Sequence, residues 1–283
     1  MVTRNLYAGR QVAFLTQHGK QALVRAPLEA ALDCKLVHTS AYDTDQLGTF
    51  TREQNRPGSQ LDAARTKAKI GMSLTGTDLG MASEGAFGPD PFGALMPWNT
   101  EVLVWIDQTL GLEVVATAHG PAQSLHKTVH TQQELEAFAM TAKFPEHHLV
   151  LRPQDQDHPD IYKGLNNWAD LFEAFNLTKH KSSNGRVFVE NDLRAHGNPT
   201  RQEVIRQAAD KLIQKLLCAC PQCNKPGYWR TSQITGLPCR ACGRKTHLPI
   251  IEIWSCSMCG HEDQKPLAFH QLADPSRCDF CNP

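Results

Sequence analysis

Four copies of one short pattern carry the clearest chemistry in this sequence: Cys220-Pro221-Gln222-Cys223, Cys239-Arg240-Ala241-Cys242, Cys256-Ser257-Met258-Cys259 and Cys278-Asp279-Phe280-Cys281. Together they hold eight of the ten cysteines. Two residues between thiolates let a tight turn aim both sulfurs at one ion, and a tetrahedral zinc site needs two such turns. The first and second pairs are 15 residues apart and the third and fourth 18, both within the span of two-knuckle zinc sites. The spacing predicts two consecutive four-cysteine zinc ribbons. A disulfide framework is the alternative, but evenly paired CxxC turns in a chain without a visible export signal fit metal better. Four cysteines close the coordination shell and leave no water position, so both zinc ions are expected to be structural. His247, His261 and His270 lie near the knuckles as substitute ligands, and Cys218 is a spare thiol.

Upstream, three polar clusters interrupt ordinary α/β patterning. Thr16-Gln17-His18-Gly19-Lys20 falls between an expected strand and helix. A glycine loop at a helix N-terminus offers free amides to an anion, and Lys20 adds a charge. The loop lacks the Gly-x4-Gly-Lys-Ser/Thr pattern of a P-loop, so a plain turn competes with a phosphate site. The second cluster is Glu53, Arg56, Lys67 and Glu84, with Glu84 beside Gly85 after a buried strand. Open α/β sheets place their sites at strand ends, and carboxylates plus substrate phosphates suit magnesium. The plainer reading has Glu84 capping a turn while Lys67 solvates a helix face. The third packs Asp192, Arg194, His196, Asn198 and Arg201 into ten residues. Such side chains fork onto phosphate or read a base edge, or else build a capping and salt-bridge loop. Cys34, with no visible partner, reads as a structural thiol.

These clusters need elements to position them. Residues 12–16 read as a buried strand, followed by a helix with Leu23, Val24, Leu28, Ala31 and Leu32 on one side and a break at Pro27, then a strand at 35–39. A polar loop, 43–58, leads to Ser59 and Asp62, a capping box before Leu61, Ala64, Ala68 and Met72. A strand at 79–83 runs into Glu84, and 101–107 with 112–118 form a hairpin. Thr131 and Glu134 box another helix, 148–152 is its returning strand, and Ile161, Leu165, Trp168, Leu171, Phe172 and Phe175 repeat at helical spacing. After a strand at 186–190, Thr200 and Glu203 cap a helix whose apolar face runs from Val204 to Leu217, directly into the first knuckle. The expected architecture is α/β, a mixed sheet with crossover helices over 1–217, with an inserted segment at about 130–175. A small C-terminal double zinc-ribbon domain follows over 218–283.

At 283 residues the chain can bury a sizeable core without staples. Acidic and basic residues balance at 29 each, which argues against a strongly basic polyanion binder. Residues 218–283 hold seven Lys and Arg against five Asp and Glu; eight thiolates and two zinc ions bring that formal +2 to about −2. No segment approaches the roughly 20 apolar residues of a membrane span, and Met1 to Thr16 lacks a secretory core. With reduced cysteines this predicts a cytoplasmic protein that does not engage membranes.

Nearly the whole chain resembles an uncharacterised bacterial family known only as a domain of unknown function. Its members share Phe50-Thr51, Arg56-Pro57-Gly58, Ala82-Ser83-Glu84-Gly85, Asp192-Leu193-Arg194-Ala195-His196, Asn198-Pro199-Thr200-Arg201 and Cys278-Asp279-Phe280-Cys281-Asn282-Pro283. The N-terminal domain is more distantly similar to the house-cleaning inosine and xanthosine triphosphate pyrophosphatases. Thr16, His18 and Lys20 resemble their Thr-x-Asn-x-x-Lys loop with His for Asn and one residue fewer. Thr49-Phe50, Glu53 and Lys67 resemble their Thr-Phe loop and basic helix, Glu84-Gly85 their acidic strand end, and Arg194, Ala195 and His196 their Ser-His-Arg loop. The similarity implies hydrolysis between the α- and β-phosphates of a nucleoside triphosphate. Glu84 and Glu53 would hold Mg2+, Lys20 and Lys67 would bind phosphates, and Arg194, His196 and Arg201 would recognise base or phosphate. Two other readings compete. One is a non-enzymatic adaptor whose ribbons bind nucleic acid or protein, with Trp229, Trp254 and Phe280 available to stack on bases; the other is a nucleotide sensor without turnover.

Overall fold

The computed structural model describes residues 6–44, 58–90, 93, 96–267 and 272–283. Two compact units divide the chain, one of Gly9–Leu212 and one of Met1–Ala8 with Ile213–Pro283. In the first, β1 (Gln11–Leu15), α1 (Gln21–Leu32), β2 (Lys35–Thr39), α2 (Gln60–Thr75) and β3 (Leu79–Pro89) make two crossovers, and β4 (Pro97–Asp107) and β5 (Leu112–Pro121) close a hairpin. The sheet order is β2-β1-β3-β4-β5, with β1 parallel to β2 and β3 and the remaining pairs antiparallel. Right-handed crossovers to opposite sides of β1 put α1 and α2 on opposite faces. Gly80 sits beneath α2, where a Cβ would fall 2.5 Å from the Met72 side chain and 2.9 Å from the Ala68 carbonyl, so helix and strand approach this closely only over glycine. The Ser59–Asp62 capping box is present, and α2 ends at Gly76 in the left-handed conformation.

Two local expectations change. Pro27 lies inside α1 instead of ending it. Val24, Leu28 and Leu32 are buried on both sides of it, and that packing outweighs the one backbone bond proline forgoes. Glu84 is not at the end of its strand, because β3 continues to Pro89 along β4. Pairing with β1 stops at Met81, so Glu84 is mid-strand but past the carboxyl end of β1.

A second sheet in the same unit contains β6 (His126–Val129), β7 (Leu149–Pro153), β8 (Tyr162–Leu165) and β9 (Val187–Asn191), ordered β6-β9-β7-β8 and antiparallel throughout. The helices α3 (Gln132–Thr141) and α4 (Trp168–Lys181) supply Leu135, Phe138, Leu171 and Phe175 to its core. The helical spacing at Ile161 and Leu165 misleads: Leu165 belongs to β8, and Asn167 caps α4 by accepting from the Asp170 amide. Likewise α5 (Pro199–Leu217) is capped by Asn198, whose Oδ1 accepts from Arg201 N at 3.0 Å, two residues ahead of the expected Thr200. Asparagine at the cap with proline first in the helix satisfies both the orphan amide and the fixed φ.

The second unit carries an antiparallel sheet of β10 (Tyr228–Thr235), β11 (Pro249–Cys256) and β12 (Glu262–Pro266). The fold is therefore α/β, with a mixed sheet and helices followed by C-terminal cysteine clusters. Among the described residues no helix is long and apolar enough to cross a membrane.

Candidate metal centres and a buried charge cluster

Each CxxC turn is built the same way. The amides of Asn224, Gly243, Gly260 and Asn282 donate at 2.8–2.9 Å to the carbonyls of Cys220, Cys239, Cys256 and Cys278. Asn224, Gly243 and Gly260 achieve this at positive φ, which asparagine and glycine tolerate best. Four thiols converge in each of two sets, Cys220, Cys223, Cys256 and Cys259, and Cys239, Cys242, Cys278 and Cys281. The expected consecutive pairing is thus corrected: the first knuckle joins the third and the second joins the fourth.

Strand pairing decides this. Tyr228 on β10 lies opposite Cys256 on β11, which brings the third knuckle to the first, and a bridge between Cys239 and Ala273 draws the fourth towards the second. Sulfur separations are 3.7 and 3.8 Å in the first set and 3.9 and 3.6 Å in the second. Four sulfurs about 2.3 Å from one ion stand about 3.8 Å apart, so both sets fit tetrahedral zinc. The Cys242 amide draws the Cys239 thiol down to about 7 against the opposing effect of burial, which favours the thiolate that metal binding needs. His247 and His261 face Asp279 at 2.8 Å and Asp263 at 3.0 Å, outside the sulfur sets. His270 lies outside the described residues. Cys34 is buried, and burial pushes its thiol up to about 11, as befits an inert structural cysteine.

The upstream clusters, far apart in sequence, meet in the Gly9–Leu212 unit. Lys20 opens α1 and sends its ammonium to the Ser83 carbonyl at 3.0 Å and hydroxyl at 3.2 Å, with a Glu101 oxygen 3.7 Å away. Arg201, in the first turn of α5, donates through Nε to Glu101 at 2.6 Å and through Nη1 to the Leu193 carbonyl at 2.6 Å. Gly85 leaves the space for this, since a Cβ there would overlap the Arg201 guanidinium and the Glu101 carboxylate. On the other face of β3, Lys67 of α2 meets Glu84 at 2.5 Å. Alternation explains the division: Ser83, Gly85 and Glu101 share one face of the sheet, while Glu84 and Val102 share the face under α2. Burial lowers the Lys20 ammonium to about 8, with Glu101 and Glu84 opposing the shift and Arg201 and Lys67 adding to it.

Asp192 and Arg194 form a forked pair, with Nε at 3.0 and 3.1 Å and Nη2 at 2.5 Å from the carboxylate. Burial would raise Asp192, but the fork outweighs it and the carboxyl stays below its usual range. Beside the pair, His18, His196 and His148 form a row, with ring centroids 5.7 and 5.9 Å apart. Partial burial and Arg194 keep His196 and His148 below the ordinary imidazole value. Glu53 and Arg56 lie outside the described residues. Glu101 and His148 are the residues that sequence reasoning missed. A single carboxylate directly before the apolar run Val102-Leu103-Val104-Trp105 was the available signal for Glu101; for His148 there was none beyond its neighbour His147.

Among the described residues, no set of three or more His, Cys, Asp or Glu converges as metal ligands apart from the two cysteine sets. Comparison with curated proteins finds no match. The family model of a domain of unknown function, DUF6671, matches residues 67–283, a span that takes in Lys67, Glu84, Glu101, the Asp192 to Arg201 loop and all eight metal-site cysteines. The chain belongs to this DUF6671 family.

Proposed function

We propose that the Gly9–Leu212 unit binds the phosphates of a nucleotide and hydrolyses a phosphoanhydride, as a nucleoside triphosphate pyrophosphatase does, while two structural zinc ions build the C-terminal unit. One observation carries this reading: past the carboxyl end of β1, Lys20, Glu101 and Arg201 gather on one face of β3 and Lys67 with Glu84 on the other, brought there by four elements and the loop before α1. Ligands of open α/β sheets bind at that end of the strands.

Lys20 and Lys67 supply charge for phosphate oxygens, and Arg194 and Arg201 neutralise charge that develops during cleavage. His196 and His148, held neutral, are suited to accept a proton. Magnesium needs only one or two protein carboxylates beside substrate oxygens, and Glu84 is a described carboxylate that would serve, with Glu53 the second that the sequence suggests. Glu101 does not join them, because it faces the opposite side of the sheet and is engaged by Arg201. When bound, magnesium would neutralise phosphate charge and lower the pKa of attacking water. The test is release of pyrophosphate from a panel of common and deaminated nucleoside triphosphates with magnesium, repeated with Glu84→Gln. Release by the native protein and loss in the variant are expected; no release from any triphosphate overturns the assignment, and tight binding without release leaves a sensor.

A second reading concerns the C-terminal unit. The Arg244 guanidinium lies 3.7 Å from the centroid of the Phe280 ring, and Phe280 is 59% exposed beside the second metal centre. A cation stacked on an open aromatic ring is a platform for single-stranded nucleic acid. A salt-sensitive gel shift that Phe280→Ala removes would support it, and an unchanged shift would end it.

A further inference from the structure

Where the outer ends of β3 and β4 face the segment entering β6, a cleft of about 400 Å3 is lined by Phe87, Pro89, Met96, Pro97, Ser124 and His126. This volume is within the range of small-molecule sites, roughly 300–1,000 Å3. Its lining is largely apolar, with one hydroxyl and one imidazole. Two rings line it: Phe87 on β3, and His126 of β6, which stacks on Phe188 at 5.7 Å with the planes 30° apart. Phe87 is half-exposed and His126 exposed here.

The cleft adjoins the charge cluster through Phe87. Phe87 follows Gly85 by two residues and so shares its face of β3, about 6.6 Å further along. Arg201 joins the two, since the guanidinium that binds Glu101 also lies over the Phe87 ring at 5.7 Å. Of the cluster's cations, Arg201 is the one in contact with this cleft's lining, so an anionic group drawn to the cluster from this side would have Phe87 beside it.

We propose that this cleft receives the heteroaromatic base of the nucleotide, a proposal that rests on the phosphate-binding reading above. Phe87 and His126 provide the stacking surfaces, which accept any base, and Ser124 offers a donor and acceptor to the base edge.

The experiment uses the full chain at equilibrium with two probes, a nonhydrolysable nucleoside triphosphate analogue and inorganic tripolyphosphate, which has phosphates but no base. Phe87→Ala and His126→Ala should each weaken the nucleotide analogue about 10-fold and leave tripolyphosphate affinity unchanged. Unchanged nucleotide affinity in both variants overturns the proposal, as does equal weakening of both probes. If the native protein binds the two probes equally, the base cleft falls while the phosphate site stands. If it binds neither, the phosphate reading falls and the cleft assignment with it.

Discussion

At the scale of single residues, the feature that distinguishes this chain is a set of charges held out of water. The Glu101 and Arg201 side chains are 0% and 1% exposed and meet at 2.6 Å. Desolvating two ions costs several kcal/mol each, and their mutual attraction, with Lys20 and Ser83 at Glu101 and the Leu193 carbonyl at Arg201, offsets it. Truncating one partner should therefore cost far more than replacing both. Glu101→Leu or Arg201→Met alone is expected to lower unfolding free energy by about 3–5 kcal/mol, and the double variant by clearly less than the sum. Urea titration of all four proteins measures this; additive losses would show that the pair is not coupled. Lys20 gives a pH signature. Its folded pKa is lowered to about 8 from an ordinary 10.5, so between those values the unfolded chain holds the proton and the fold does not. The unfolded state then binds more protons, and the Lys20 contribution makes stability rise with pH across that window. Its penalty is full below about pH 8 and fades above it. Lys20→Met should flatten this part of the stability profile; an unchanged slope between pH 8 and 10 would place the ammonium in a watery setting.

At the scale of elements, Asn198 shows why local rules reach some features and miss others. Its buried side chain accepts from Arg201 N at 3.0 Å and donates to the Gln123 carbonyl at 3.1 Å and the Asp192 carbonyl at 3.3 Å. It caps α5 and ties that helix to both neighbouring segments. Asn198→Ala should cost about 0.5–2 kcal/mol for the cap, with a further about 1–3 kcal/mol for carbonyls left without a donor. Thr200→Ala should cost less, and a larger loss at Thr200 in thermal or urea unfolding would return the cap to that residue. Sequence reading succeeded where the determinants lie within one turn: the boxes at Ser59 with Asp62 and at Thr131 with Glu134 are both present. It also singled out Lys20, Lys67, Glu84 and Arg201, from a glycine loop before a helix, a basic helix face, a glycine-flanked carboxylate and a dense polar loop. It could not assign them to faces. That depends on β3 running past β1 and on the pairing of Gly85 with Glu101, neither of which is local. The pairing of Glu101 was illegible for the same reason, since Arg201 lies 100 residues further on.

At the scale of the whole molecule, the interleaved cysteine sets alter what zinc does. Consecutive ribbons would each close their own loop and load independently. Here the first centre closes a loop from Cys220 to Cys259 that contains the second knuckle, and the second closes one from Cys239 to Cys281 that contains the third. Neither loop can settle without positioning half of the other centre. Little apolar packing is available to replace the metal: around the first centre the buried side chains are Cys220, Tyr228 and Cys256, and most of β10 is exposed. Small units of this kind draw much of their folding free energy from metal binding. Loading should therefore be cooperative. Replacing Cys239 and Cys242 by serine, which touches only the second centre, is expected to reduce bound zinc from two per chain to well below one, measured by native mass spectrometry. Hydrogen exchange in the same variant should show β10 and β11 losing protection while β3 and β4 keep theirs. One tightly held zinc per chain, with β10 and β11 still protected, would mean that the centres act separately despite their shared loops.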